Sequence, residues 1–312
     1  MIISASRRTD IPAYYSEWLL NRFREGFVCV RNPVNRHQVS RVPLTPDVVD
    51  GIVFWTKNPI PLLGRLDELK AYMYYFQFTL NAYGKDAEPN VPGKNEALIP
   101  AFRQLARQIG PERVIWRYDP IFLSAKYTMD YHTRYFEEIA RRLCGYTRKC
   151  VISFLDYYQN TAFHMKKLNV TPLGEAEMRE LAKRIAEIAR RYHMTVETCA
   201  ENMDLSSLGI AHGCCVDGAL FERLLGQKLD VARDENQRKA CGCVSSIDIG
   251  EYSTCPNGCL YCYATENTGS AYGRMRLHDP QSPLLIGRPE EEDHVTDRKA
   301  ESFKKCQISM FD

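Results

Sequence analysis

SSIDIGEYSTCPNGCLYCYA, residues 245–264, joins a short strand to a thiol-bearing loop. SSIDIG (245–250) alternates apolar and polar residues up to a glycine, the pattern of a strand that ends in a turn. The tetrapeptide EYST then leads into Cys255, Cys259 and Cys262, spaced Cys-x3-Cys-x2-Cys. Pro256-Asn257-Gly258 favours a tight turn and folds the three thiols around a common centre. Such thiols can serve zinc, a disulfide knot or an iron–sulfur cluster. Three thiolates on a cubane leave one iron without a protein ligand, and an open position is what separates a reactive site from a structural one.

Working outward, six further stretches have the apolar, β-branched and aromatic character of buried strands: 2–6, 51–56, 72–80, 113–118, 149–155 and 194–199. Amphipathic helical stretches alternate with them, at 11–26 with Asp10 as N-cap, at 128–145 and at 172–193. Residues 27–44 form a small hairpin inserted after the first helix. This alternation predicts an α/β fold with a parallel sheet, a (β/α) barrel of TIM type, full or partial. A doubly wound sheet is the alternative, but no Gly-x-Gly-x-x-Gly follows any strand. The barrel spans residues 1–277, including a cysteine-rich segment at 199–262. From 278 to 312 the chain turns rich in proline, glycine and charge, as an irregular tail wrapped over the barrel.

Composition sets limits. With 312 residues, 45% of them hydrophobic, the chain can bury a large core. A net charge of +2 gives no bulk hold on nucleic acid. No apolar run reaches the roughly 18 residues of a membrane span, and MIISASRRTD lacks the apolar stretch of a signal peptide. A cytoplasmic location is expected, with no membrane partner. Of 12 cysteines, eight fall between Cys199 and Cys262, and thiols gathered locally in a reducing compartment usually hold metal. Cys29, Cys144, Cys150 and Cys306 stand apart as core or surface thiols.

A barrel keeps its chemistry at the carboxyl ends of its strands. Those ends carry Arg7, Arg8 and Asp10, then Lys57, then Asn81. They continue with Arg117 and Asp119, with Asp156, and with Glu197, Cys199 and Glu201. The cysteine loop closes the same rim.

The run Cys255-Pro-Asn-Gly-Cys259-Leu-Tyr261-Cys262 resembles the signature loop of the radical SAM superfamily, and GCLYCYA is similar to its spore photoproduct lyase-like branch. The resemblance implies a 4Fe-4S cluster on the three cysteines, with the fourth iron chelating S-adenosylmethionine. Reductive cleavage of that cofactor would give a 5′-deoxyadenosyl radical acting on an unknown substrate, with electrons from a reductant such as ferredoxin or flavodoxin. In the superfamily the cysteine loop follows the first strand, whereas here it follows the last. A circular permutation of the barrel accounts for this, since a ring of parallel strands can be cut elsewhere. SASRRTDIPA, FWTKNP and WRYDP, with the late cysteines, resemble an uncharacterised permuted family over nearly the whole chain. The resemblance places Tyr261 beside the cluster near the adenine. No Gly-Gly-Glu follows the second strand, so Arg7, Arg8 or Asp10 would take over binding of the methionine part. Arg7, Asp10, Lys57, Asn81, Arg117, Asp119, Asp156, Glu197 and Glu201 are the expected cofactor and substrate contacts.

Cys199, Cys215, Cys241 and Cys243 offer four more thiolates, enough for an auxiliary 4Fe-4S cluster, with zinc or plain buried thiols as alternatives. Cys241-Gly-Cys243 precedes the strand SSIDIG, which would put it at the far end of the barrel unless that strand starts later or the segment crosses the mouth. Cys214 is left over. The competing class is a non-catalytic iron–sulfur or zinc protein that carries electrons or binds a partner. The final residues Gln307–Asp312 resemble the short peptide that docks repair proteins on the DNA sliding clamp, and a mobile end would allow such docking.

Overall fold

The computed structural model describes residues 1–156 and 164–305. Its strands are β1 (Ile2–Ala5), β2 (Phe27–Arg31), β3 (Gln38–Pro43), β4 (Gly51–Thr56), β5 (Tyr74–Thr79), β6 (Val114–Ile121), β7 (Lys149–Phe154), β8 (Thr195–Cys199), β9 (Ile210–Gly213), β10 (Ile247–Asp248) and β11 (His294–Asp297). Eight form one sheet in the order β10-β1-β4-β5-β6-β7-β8-β9. Its ladders all run parallel. With β10 counted before β1, the order advances without the reversal that marks a doubly wound sheet. Among the described residues no ladder joins β9 back to β10. The hydrogen bonds therefore show a large parallel sheet, not a closed barrel.

Strands of such a sheet are buried on both faces and are apolar nearly throughout. Alternate residues serve the two faces. Ile3, Ile52, Phe76 and Trp116 pack under α1 (Ile11–Tyr14), α2 (Ser16–Glu25), α3 (Ile60–Leu63), α4 (Ile99–Ile109), α5 (Met129–Leu143) and α6 (Glu175–Arg191). Ile2, Val53, Tyr75, Ile115 and Val151 face the other way, onto Val216, Leu220 and Phe221. The last two belong to α7 (Gly218–Leu225), which plugs this inner face. A β-carbon on Gly51 would lie 2.2 Å from the Phe221 ring, so glycine is needed for that ring to seat. Phe221→Ala is expected to destabilise the chain by about 3–5 kcal/mol, read as a lowered urea midpoint. A change below about 1 kcal/mol would show that α7 is not part of the core.

Asp10 caps α1 as expected, its Oδ1 accepting from Ala13 N at 3.1 Å. The single helix expected over 11–26 is two, because Tyr15 leaves helical geometry (φ −133°, ψ 26°). Its hydroxyl donates instead to Thr254 O at 2.6 Å, under the cysteine loop. The hairpin at 27–44 is present as β2 and β3, and β11 joins it in a three-stranded sheet. The C-terminal segment begins after α8 (Thr268–Met275). Ser282 O accepts from Trp18 on α2 at 2.9 Å. After β11 the chain reaches Asp50, which accepts from Phe303 N at 2.7 Å. The clamp-like peptide Gln307–Asp312 lies outside the described residues.

Candidate functional site

The carboxyl ends of the strands surround a cavity of about 310 Å³. Both thiol groups line it: Cys255, Cys259 and Cys262 on one side, Cys199, Cys215, Cys241 and Cys243 on the other.

Neighbouring elements hold the first group in place. Gly258 adopts φ +69°, which only glycine takes without strain. Tyr14 donates to Asn257 Oδ1 at 2.7 Å, and Asn90 Nδ2 donates to Pro256 O at 2.8 Å. Leu260 N donates to Ala87 O at 3.0 Å, fixing the far end of the turn. The first strand end is fastened to the same region. Asp248 on β10 accepts from Ser4 Oγ at 2.9 Å, Ser6 Oγ at 2.5 Å and Arg7 N at 2.8 Å. Asp10, beyond its helix cap, accepts from Thr56 Oγ1 at 2.6 Å and Lys57 N at 2.7 Å. Burial nevertheless raises its carboxyl to about 6. Asp10 is thus spent on positioning. Arg7 lies 3.7 Å from Asp234 and 3.9 Å from Asp248, while Arg8 lies 3.4 Å from Gly250 O and 4.0 Å from Asp248, with its guanidinium 5.2 Å from the Tyr252 ring centroid.

Behind the loop a polar network joins the expected Lys57, Asn81 and Tyr261 to Glu88 and Lys94, which the sequence did not point to. Lys57 Nζ donates to Glu88 Oε1 at 2.8 Å and to the Tyr261 hydroxyl at 2.9 Å. Lys94 reaches Glu88 Oε2 at 2.9 Å, and Asn81 Nδ2 reaches Tyr261 at 3.1 Å. The Tyr261 hydroxyl donates in turn to Glu88. Its ring packs on Tyr83, with centroids 5.6 Å apart, and on Phe122. Tyr261 lines the cavity from within this aromatic wall, and Asn81 supports it from behind. Burial alone would raise Glu88, but the ammonium groups of Lys57 and Lys94 more than offset it and hold the carboxyl at about 2. Conversely, Glu88 more than offsets the burial of Lys57 and holds it at about 12.

A carboxyl held below its ordinary value contributes stability that is present above that value and lost as pH falls through the folded one. For Glu88 the window runs from 4.5 down to about 2. Glu88→Gln is expected to cost about 3 kcal/mol at pH 7 and to flatten the stability profile across that window. Denaturant titrations at stepped pH check this, and parallel profiles for variant and wild type would overturn it.

The second group forms a chain. Cys199 and Cys215 sulfurs lie 2.9 Å apart, and Cys243 hydrogen-bonds both Cys215 and Cys241. The bond with Cys243 lowers Cys241 to about 7, while burial, opposed by Lys57, pushes Cys259 in the other group up to about 12. Arg117, fully buried, donates through Nη1 to Cys215 Sγ at 2.8 Å and pairs with Asp119. Its guanidinium lies over Trp55, 5.3 Å from the ring centroid. Against the cost of burial, Asp119 and the thiols Cys215 and Cys199 keep Arg117 protonated. The position of Cys241-Gly-Cys243 is settled by the short strand: β10 begins only at Ile247, and the preceding segment folds onto Val216, whose carbonyl accepts from Val244 N at 3.1 Å.

Not every expected residue reaches the cavity. Asp156 does line it, paired with Arg238, whereas Asn81 stays behind Tyr261. Glu201 stands behind the wall, accepting from Phe154 N at 2.7 Å, with burial raising it to about 7. Glu197 lies elsewhere, 2.7 Å from Lys149, in a separate pocket that also holds Cys214. Glu88, Trp55, Arg238 and Asp248 escaped the sequence analysis. Of these, Asp248 carried a signal, an acid between two isoleucines of an expected strand.

Among the described residues no three of the seven sulfurs lie mutually within 4.8 Å. Four bonds of 2.3 Å to a tetrahedral zinc would bring them to about 3.8 Å. The donors are all soft thiols around a shared hollow, a set that suits zinc or an iron–sulfur cluster, and Cys199 and Cys215, 2.9 Å apart, would have to spread to hold either. Among the described residues the one compact grouping is His37, Glu290 and Asp293; the first two are exposed, and its carboxylates face Arg31 and Arg36.

No curated protein matches the chain. Among solved structures it is similar to a proposed alpha-L-fucosidase from Bacteroides thetaiotaomicron, 13% identical over 75% of this chain and 85% of that one, with a TM-score of 0.24, too low to inform fold or function. A family model does match, over residues 2–264, from the first strand through the last loop cysteine. The chain belongs to that family, described as a domain of unknown function, DUF1848.

Proposed function

We propose that the chain is a radical S-adenosylmethionine enzyme on a (β/α) barrel, full or partial, permuted so that β10 takes the first place. One observation carries this: β10 pairs with β1 and leads into the loop, and all seven thiols line one cavity at the carboxyl edge of a parallel sheet. On this reading Cys255, Cys259 and Cys262 hold a 4Fe-4S cluster with one open iron, and Cys199, Cys215, Cys241 and Cys243 hold a closed second one. With S-adenosylmethionine bound, the open cluster would supply the electron for reductive cleavage of the sulfonium, and through it hydrogen-atom abstraction from substrate.

The remaining tasks fall to the chain's own side chains. Lys57 keeps a positive charge beside Cys259 and offsets the negative charge that thiolates bring into a buried site. Tyr14, Tyr15 and Asn90 fix the path of the loop that carries the thiols. Arg7, which lines the cavity with its ion pairs at 3.7 and 3.9 Å, suits the methionine carboxylate in place of a Gly-Gly-Glu turn. The wall of Tyr261, Tyr83 and Phe122 keeps water from one side of the cavity. A one-electron protein donor such as ferredoxin or flavodoxin completes the system.

Anaerobic reconstitution with iron and sulfide, followed by dithionite and S-adenosylmethionine, tests this. Formation of 5′-deoxyadenosine supports it. A protein that takes up zinc and shows no iron–sulfur absorption overturns it in favour of a zinc protein, and a cluster that never cleaves the cofactor favours an electron carrier.

A further inference from the structure

A second cleft, of about 470 Å³, opens beside the thiol cavity. The inserted hairpin and β11 form one wall, through Asn32, Gln38, Ser40 and Thr296; residues 234–237 and the end of β10 form the other. Arg7, Arg8 and Gln237 line both hollows, so one ligand can extend from the cleft into the cavity.

Four guanidinium groups face this cleft: Arg7, Arg8, Arg31 and Arg298. Two carboxylates share it, and both are engaged. Asp248 accepts the strand-end bonds described above, and Asp234 accepts from Asn236 N at 3.1 Å and Gln237 Nε2 at 3.1 Å. Arg31 is answered by Asp293 at 2.5 Å, and Arg7 by Asp234 and Asp248. Arg8 is held only loosely, and among the described residues the Arg298 side chain has no hydrogen bond or ion pair. Two forked donors are therefore left over beside the amides and hydroxyls of Asn32, Gln38, Ser40 and Thr296, with Val30, Val42 and Ile247 filling in between. Guanidinium groups arranged this way match the paired oxygens of a phosphate.

We propose that this cleft binds the phosphate end of a small phosphorylated substrate, such as a nucleotide, whose remainder passes Arg7 and Arg8 into the cavity. A polyanion is the poorer fit, since the whole chain carries only +2. The phosphate site stands by itself; only the fate of the bound molecule rests on the radical reading.

Calorimetry with inorganic pyrophosphate on the full chain, before and after iron reconstitution, tests the site without cofactor cleavage. Saturable binding of one pyrophosphate per chain is expected, weakened about tenfold in Arg298→Ala and in Arg8→Ala. Arg134→Ala removes an equal charge from α5, far from the cleft, and is expected to bind like wild type. Adenosine diphosphate binding more tightly than pyrophosphate would extend the site to nucleotides, whereas equal affinity would confine recognition to the phosphates and overturn the nucleotide as example. No saturable binding, or equal weakening in Arg134→Ala, overturns the phosphate site itself. Phosphate binding without 5′-deoxyadenosine formation would leave this site intact and remove the radical chemistry alone.

Discussion

Replacing Cys259 with alanine is expected to abolish 5′-deoxyadenosine formation while the fold stands. The loop does not depend on that thiol for its shape. It is held by bonds from Tyr14, Tyr15 and Asn90 and by the positive φ of Gly258. Loss of one sulfur should cost about 1 kcal/mol of stability. Two thiolates, however, cannot hold a site-differentiated cubane. Iron in the variant should drop from about eight to about four per chain, with the second cluster retained. Cys144→Ala, at the end of α5 and outside the cavity, serves as control and should match wild type in both measurements. Product formation by Cys259→Ala at even a tenth of the wild-type rate would remove the loop from the chemistry.

The seven strands expected from the sequence are all present because their signal is physical. A parallel strand covered on both faces must be apolar along its length, and runs such as GIVFWT and KCVISF satisfy that. β9 (IAHG) went unseen, since four residues ending in His and Gly at a sheet edge carry no such run. The break at Tyr15 was likewise invisible. Local periodicity favours one helix there, and Tyr15 keeps i,i+4 backbone bonds to Ile11 O and from Leu19 N while its φ and ψ leave helical values and its hydroxyl reaches Thr254 O.

The site divides in the same way. Strand ends announced Arg7, Asp10, Lys57, Arg117 and Asp119, all of which line the cavity. The rule failed for Glu197, which lies within β8, two residues before its end, and pairs with Lys149 on another surface. Glu88 sits in a loop without periodicity, and only its partners in space, Lys57, Lys94 and Tyr261, give it meaning. Asp10 reads as a ligand in sequence, yet its oxygens are occupied by Thr56, Lys57 and Ala13.

The triple variant of Cys255, Cys259 and Cys262, each to alanine, should still hold about four irons per chain with iron–sulfur absorption. Cys199 comes from β8, Cys215 from the turn before α7, and Cys241 and Cys243 from the segment before β10, so this site is assembled by the fold and owes nothing to the loop. Arg117 makes the claim more specific. Its bond to Cys215 Sγ is a charged donor on a ligand sulfur, in a fully buried position. Such a donor stabilises the extra electron of a reduced cluster, so Arg117→Gln should lower the reduction potential of the second cluster. The loss of one charged hydrogen bond, about 1.5 kcal/mol, corresponds to roughly 65 mV for a one-electron couple. A redox titration of the triple variant, with and without Arg117→Gln, isolates that cluster and reads the shift directly. A triple variant without iron would eliminate the second cluster. Iron retained with an unchanged potential would keep the cluster and show that Arg117 serves only to neutralise Asp119.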